Sequence, residues 1–320
     1  AVELRNQLQG VVGEAAELPS SLIFEAPTVR QLEAYFKELA AEMNVRAPQP
    51  ALAAADTSLA GAVTLTGCCG MLPGGAAGAS LFMHKSHAGA DLCGEIPAHR
   101  WDIDEMVAEN RAAGVGEGVC KRIRYGAFVH GAELFDAAAF SISNAEAAAC
   151  DPQQRLLLEY GYMALHMSGL TRASLLDSNT GVYLGCSTSD FQILITWGSM
   201  GKSVYAATGM TLSIASGRLS YVLGLQGACS LIDTACSAGL VAVNFARGAL
   251  QLRESEDAAV LAVNLMLSPH GCHIPFSIAG MTSPTGKCHT FDASADGYCR
   301  SEACGAAVLS TREVDASVQV

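Results

Sequence analysis

An α/β fold is what this sequence predicts, and three observations predict it. Apolar strand-like runs at 180–185, 258–267 and 305–309 alternate with helical periods. Half of the 320 residues are hydrophobic and 16% are charged, enough for a sizeable core and unlike a disordered chain. The octapeptide Ile232-Asp233-Thr234-Ala235-Cys236-Ser237-Ala238-Gly239 sets one thiol where an apolar run gives way to the start of a helix.

Residues 1–44 read as short helices. Val2, Leu4, Leu8 and Val12 mark the first, and Gly10 and Gly13 loosen its end. Leu18-Pro19-Ser20-Ser21-Leu22-Ile23-Phe24 reads as a loop with a short apolar segment. Thr28, with Gln31 three residues on, is the expected cap of an amphipathic helix. That helix sets Val29, Leu32, Tyr35, Phe36 and Leu39 against Glu33, Lys37 and Glu38. Residues 45–61, rich in Ala and Pro and without a period, read as an interdomain linker.

The α/β part, 62–320, opens with a core strand at 62–67 and a Gly-rich loop through Pro73-Gly74-Gly75. Residues 96–101 are turn-rich, and 134–136 and 140–143 lead to a helix from Asn144. Asp151 is placed as the N-cap of a longer helix with Pro152 at its first position. Ala228-Cys229-Ser230-Leu231-Ile232 reads as a short buried strand, and Leu240 to Ala246 as a buried helix. A thiol at such a helix start faces unpaired backbone N–H groups and the positive end of the dipole, a setting that favours the thiolate nucleophile. Most of the twelve cysteines are expected to be inert core residues; Cys236 is the expected nucleophile.

The net charge of −12, with no basic run, argues against a nucleic-acid surface. No stretch has the length of a membrane span. Cysteines scattered through periodic segments suggest a reducing, cytoplasmic compartment. No metal site is expected: His270-Gly271-Cys272-His273 reads as a turn with chance neighbours. Gly201-Lys202-Ser203 lacks the glycine of a phosphate loop, since Thr196 stands in its place.

Two resemblances follow. Ala1-Val2-Glu3-Leu4-Arg5-Asn6, Leu18-Pro19, Phe24-Glu25-Ala26-Pro27-Thr28 and Leu32 resemble the C-terminal part of a modular acyl carrier protein. In that family the serine carrying 4'-phosphopantetheine lies just upstream, so the carrier bundle is expected to be partial and to lack its attachment serine. Eight segments of 62–320 resemble the N-terminal half of a β-ketoacyl synthase of the polyketide and fatty-acid kind. They are Pro97-x-x-Arg100-Trp101, Phe135-Asp136-Ala137, Asp151-Pro152-Gln153-Gln154-Arg155, Gly217-Arg218-Leu219-Ser220-Tyr221 and Asp233-Thr234-Ala235-Cys236-Ser237. Met266-Leu267-Ser268-Pro269, Gly280-Met281-Thr282-Ser283-Pro284 and Phe291-Asp292-Ala293-Ser294-Ala295-Asp296-Gly297-Tyr298 complete the series. Cys150, Ala238-Gly239 and Ser301-Glu302-Ala303-Cys304 depart from that family's commoner residues by small changes.

The resemblance implies a thiolase-like ketosynthase half, layered helices and sheet, acting as a homodimer when complete. It implies that Cys236 accepts an acyl group from a carrier thioester for decarboxylative Claisen condensation with a malonyl-type extender. The ketosynthase itself holds no cofactor, and its partners are acyl carrier proteins and their thioesters. Asp296, Tyr298 and Arg300 match a segment that supports the site. The family's two histidine motifs lie beyond the equivalent of Val320, and none of the eight histidines here sits in one. The fragment is therefore expected to self-acylate without condensing. The alternative is a truncated or degenerate synthase acting as an acyl-binding or dimerisation partner; a weaker one is a cysteine hydrolase with a spatially adjacent histidine.

Overall fold

Two units divide the chain, Ala1–Leu59 and Ala60–Val320, in the computed structural model. Residues 8–9, 12–13, 18–19, 22, 26, 29–42 and 62–312 are described. In the first unit α1 (Val29–Glu42) lays Leu32, Tyr35, Phe36 and Leu39 on buried Leu18, Leu22 and Ala26, with Leu8 and Val12 beside them. On its polar side Lys37 pairs with Glu33 at 2.6 Å, the (i, i+4) partner one turn away. The cap expected at Thr28, the linker 45–61, and Val2 and Leu4 lie outside the described residues.

The second unit is built on a six-stranded mixed sheet. Its strands are β1 (Thr64–Leu72), β2 (Ala76–Ala77), β5 (Thr180–Gly185), β6 (Cys229–Ile232), β7 (Asp257–Asn264) and β8 (Ala303–Ser310), in the order β2-β1-β8-β7-β5-β6. Two short strands, β3 (Gly94–Glu95) and β4 (Tyr125–Gly126), form a separate ribbon. β6 and β7 run parallel to β5 on either side, whereas β8 is antiparallel to both β7 and β1.

Side-chain alternation assigns the two faces. Val182, Leu184, Ala259, Leu261 and Val308 meet Leu157, Leu165, Leu219 and Leu223 from α2 (Pro152–Met167) and α3 (Leu212–Leu223). Tyr183, Ile232, Ala258 and Val260 point the other way, onto Ala242, Ala246, Ala249 and Leu250 of α4 (Ala238–Gln251). Helices on both faces explain why every residue of β5 is buried, Thr180 included, and why its centre is apolar. As expected, Asp151 caps α2, its carboxylate accepting the Gln153 N–H at 2.7 Å, with Pro152 at the first turn.

Three expectations change. β1 extends to Leu72, because β8 pairs with it as far as Met71. Residues 134–143, leading to the helix from Asn144 as expected, form turns and one 3-10 turn (Ala138–Phe140), with Phe140 stacked on Phe135. β6 is not a buried strand: it pairs with β5 alone at the sheet's edge, which leaves Cys229 exposed and buries Ile232. Likewise α4 buries its small residues but leaves Leu240 and Phe245 exposed. Among the described residues no helix is long and apolar enough to cross a membrane.

A satellite core of Ile103, Met106, Ile123, Phe128 and Met266 lies beside His273, whose ring meets Trp101 edge-on. His273 is 1% exposed and its Nε2–H donates to the Ile123 carbonyl at 2.9 Å. Burial, aided by the nearby Arg300 charge, holds its pKa below the usual imidazole value. The unfolded chain thus binds the proton more readily, so this residue's contribution is full above about pH 6.5 and is lost as pH falls below it. Urea unfolding at pH 7 and pH 5 is expected to show lower stability at pH 5, with His273 contributing at most about 1.4 kcal/mol per pH unit. His273→Gln keeps a donor for Ile123 and is expected to flatten that slope; an unchanged slope would place the titration elsewhere.

Candidate active site

The chain leaves β6 at the C-terminal edge of the three parallel strands and turns through Asp233-Thr234-Ala235 into Cys236. Ala235 has φ +54°, a left-handed conformation that costs an alanine about 1–2 kcal/mol. Local bonds compensate. The Asp233 carboxylate accepts the Ala235 N–H at 3.0 Å, and the Ser187 hydroxyl donates to the Ala235 carbonyl at 3.3 Å. The Ser237 hydroxyl donates to the Thr234 carbonyl at 2.8 Å. The Ala235 N–H, followed by the Ser187 hydroxyl, holds the Asp233 carboxyl below the ordinary carboxylate range.

Cys236 stands in the middle of a 3-10 turn (Ala235–Ser237), two residues before α4, where the sequence places it in the helix's first turn. The difference is small and has a cause: the Ala238 N–H donates to the Ala235 carbonyl, so α-helical bonding starts only after the tight turn. The thiol is exposed. It precedes a 14-residue helix whose N-cap residue, Ser237, offers no side-chain bond to the first amides, so the turn keeps donors and the positive dipole end nearby.

What brings α4 so close to the sheet is missing side-chain volume. A Cβ on Gly185, the last residue of β5, would lie 2.5 Å from the Ala238 backbone carbon and the Gly239 nitrogen. One on Gly239 would lie 3.1 Å from the Ala262 methyl of β7. The buried face of α4 continues with Ala238, Ala242, Ala246 and Ala249, so its backbone rides low over β5 and β7.

Behind the thiol, buried polar side chains stitch the loops together. Gln153 accepts the Leu265 N–H at 3.0 Å and donates to the Thr188 carbonyl at 2.9 Å. Asp151 accepts the Ser189 hydroxyl at 2.5 Å; burial nonetheless pushes its pKa up. Gln154 donates to the Gly209 carbonyl at 3.0 Å and accepts Arg218 Nε–H at 2.7 Å, and Arg218 reaches Glu146 at 2.6 Å. Glu302, fully buried, accepts the Met266 N–H at 2.8 Å and the Val129 N–H at 3.0 Å and pairs with Arg100 at 2.7 Å. Asp190 takes the Leu267 and Ser268 amides at 3.3 and 3.4 Å. The three residues expected to support the site, Asp296, Tyr298 and Arg300, make backbone and ring contacts among the loops, none of them to the Cys236 turn. Asp296 offers its carbonyl to Arg122 at 3.0 Å, Tyr298 N–H donates to Met281 O at 3.1 Å, and Arg300 lies over Phe276.

Ser187 and Asp190 escaped sequence reasoning. The available signal was a polar Ser187-Thr188-Ser189-Asp190 step directly after an all-apolar strand. Among the described residues no hydrogen bond joins Cys236 to a histidine, and His273, in the turn beside Cys272, is committed to Ile123.

Residues 60–315 match the family described as Beta-ketoacyl synthase, N-terminal domain. The chain is 39% identical over 247 residues to a phthioceranic/hydroxyphthioceranic acid synthase of Mycobacterium tuberculosis, covering 77% of this chain and 11% of that protein. It is 40% identical over 262 residues to a phenolphthiocerol/phthiocerol polyketide synthase of the same organism, covering 81% and 12%. The chain therefore spans about an eighth or less of the length of these relatives. Among solved structures, the ketosynthase from module 6 of the bacillaene synthase of Bacillus subtilis 168 superposes with a TM-score of 0.68 at 31% identity. That match covers 78% of this chain and 40% of the bacillaene chain. An oxazolomycin ketosynthase domain of Streptomyces albus JA3453 gives a TM-score of 0.67 at 26% identity, over 78% and 43% of the two chains.

Two substitutions test the packing that positions the thiol, read by urea unfolding. Gly185→Ala drives a methyl into the backbone of Ala238 and is expected to cost about 1–3 kcal/mol. Glu302→Ala strands Arg100 and two buried amides and is expected to cost about 3–5 kcal/mol. Midpoints equal to the parent's would show that neither contact constrains the fold.

Proposed function

This chain belongs to the β-ketoacyl synthase family through its N-terminal domain, and we propose that Cys236 is its acyl-accepting nucleophile. The observation that carries this reading is the exposed thiol on a left-handed elbow, ahead of α4 and at the C-terminal edge of parallel strands. In the proposed step the Cys236 thiolate attacks the carbonyl carbon of an acyl thioester carried on a phosphopantetheine arm. The old C–S bond breaks and the carrier thiolate leaves, taking up the proton that Cys236 gave up. The product is an acyl-Cys236 thioester. Backbone N–H groups of the turn are the donors placed to steady the oxyanion.

In the complete reaction the acyl group condenses with a malonyl-type unit after decarboxylation, with acyl carrier proteins as partners and a second copy of the chain completing a homodimer. On this reading residues 1–44 contribute helices of an acyl-carrier-type bundle, 45–61 a linker and 62–320 the ketosynthase half. The apolar core around Leu18, Leu22 and α1 supports the first assignment. None of the eight histidines here matches the motifs the family uses for decarboxylation, so the step proposed for these 320 residues is acyl loading.

The test is incubation with a short acyl thioester, then peptide mapping. An acyl mass is expected on Cys236 in the peptide 219–247, which also holds Cys229, so fragmentation must place it. Cys236→Ala is expected to abolish the label; labelling that persists in this variant sinks the assignment. Addition of a malonyl thioester is expected to leave the acyl-enzyme intact. Release of a 3-oxoacyl product would overturn the non-condensing reading, and rapid release of free acid would indicate a hydrolase.

A further inference from the structure

Three thiols from separate stretches of the Ala60–Val320 unit converge away from any role assigned above. Cys93 lies in the loop before β3, Cys288 in the turns after the helix Ile274–Ile278, and Cys299 in the approach to β8. The Cys299 N–H donates to the Cys288 sulfur at 3.1 Å, and the Cys93 thiol is close enough to act on the Cys299 side chain. An ion pair fixes the two outer loops against each other. Lys287, next to Cys288, binds Asp91, whose carboxylate also accepts the Cys93 N–H at 3.1 Å. Cys288 is exposed, and Cys93 and Cys299 are half-buried. Among the described residues no group of three His, Cys, Asp or Glu is placed to hold a metal ion, so the cluster's chemistry is that of thiols with one another.

We propose that Cys93 and Cys299 form a reversible disulfide site that responds to hydroperoxides. A disulfide needs two neighbouring thiols that can close to a bond of about 2.0 Å, and Cys93 is the thiol that acts on the Cys299 side chain. Burial, followed by the neighbouring Cys93 sulfur, keeps the Cys299 thiol protonated, and we assign the first step to Cys93. The Cys93 thiolate attacks one oxygen of hydrogen peroxide; the O–O bond breaks, hydroxide leaves, and Cys93 becomes a sulfenic acid. The Cys299 sulfur then attacks the sulfenic sulfur. The S–O bond breaks, the Cys299 proton leaves with the oxygen as water, and the disulfide forms. A dithiol reverses it. Cys288 does not enter the bond: its sulfur accepts the Cys299 N–H and holds the segment in place. The cross-link ties the loop before β3 to the strand approach carrying Arg300 and Glu302, and so restrains the support of the site from outside it.

The experiment uses the unmodified chain. It is treated with hydrogen peroxide, blocked with iodoacetamide and digested with trypsin without reduction. Cys93 falls in the peptide 86–100, whereas Cys288 and Cys299 share 288–300. The expected result is these two peptides joined, lighter than their sum by two hydrogen atoms, with Cys288 alkylated, and separated again by dithiothreitol. Cys288→Ser is expected to retain the cross-link and Cys93→Ser to lose it. Peptide 288–300 closed on itself, or 86–100 recovered fully alkylated or over-oxidised, overturns the proposal. The digest of the parent chain decides the matter even where a variant fails to fold.

Discussion

Four consecutive backbone amides, Leu265 to Ser268, leave the sheet at the end of β7 with no strand to receive them. Each is taken by a buried side chain from elsewhere: Gln153 binds Leu265, Glu302 binds Met266, and Asp190 binds Leu267 and Ser268. An unpaired buried amide costs about 1–3 kcal/mol, so these acceptors are what permit the chain to turn away there. None acts alone. Gln153 also grips the Thr188 carbonyl, and Glu302 is neutralised by Arg100. The Asp190 carboxylate fills the space where a side chain at position 271 would have to go, with a Gly271 Cβ only 1.9 Å from its oxygen if one were added.

That network reaches the thiol through the loop after β5. Thr188, Ser189 and Asp190 are fixed by Gln153, Asp151 and the amides just after β7, and Ser187 immediately before them holds the Ala235 carbonyl. The elbow is thus braced against α2 through one short loop, while α4 is seated by the absence of a Cβ at Gly185. Rigid backbone on both sides of a reactive group is what lets it be presented reproducibly, and here both sides derive from packing rather than from a ligand.

Much of this was legible in the sequence, and the limits are physical. The buried strands β5 and β7, the Asp151 cap and the helix start just after Cys236 followed from local pattern, because helix starts and apolar strands carry local signatures. The family resemblance extended this to the whole α/β part, and the matched segments turn out to be largely structural. Gln154 and Arg218, far apart in sequence, bond each other, and Arg100 bonds Glu302. What local pattern could not convey was pairing partners. β6 looks like a core strand until its position at the sheet edge is known. The Ser187 contact depends on two loops meeting, which no spacing within either loop encodes.

Twelve cysteines raise the question of what would keep the others from competing with the proposed nucleophile. Burial does this by penalising the thiolate. Desolvation pushes Cys69 up to about 12 and Cys150 and Cys186 up to about 11, and it drives the wholly buried Cys304 higher still. These four thiols remain protonated at neutral pH and out of reach of a thioester. Cys236 differs in kind, because it is exposed and lies against the start of α4 rather than inside the core. Cys229 and Cys288 are exposed too, but Cys229 lies within the edge strand β6 and Cys288 is occupied as an acceptor for Cys299. Exposure, a helix start and a braced elbow coincide at Cys236, and that coincidence is what favours this sulfur over the others in the proposed reading.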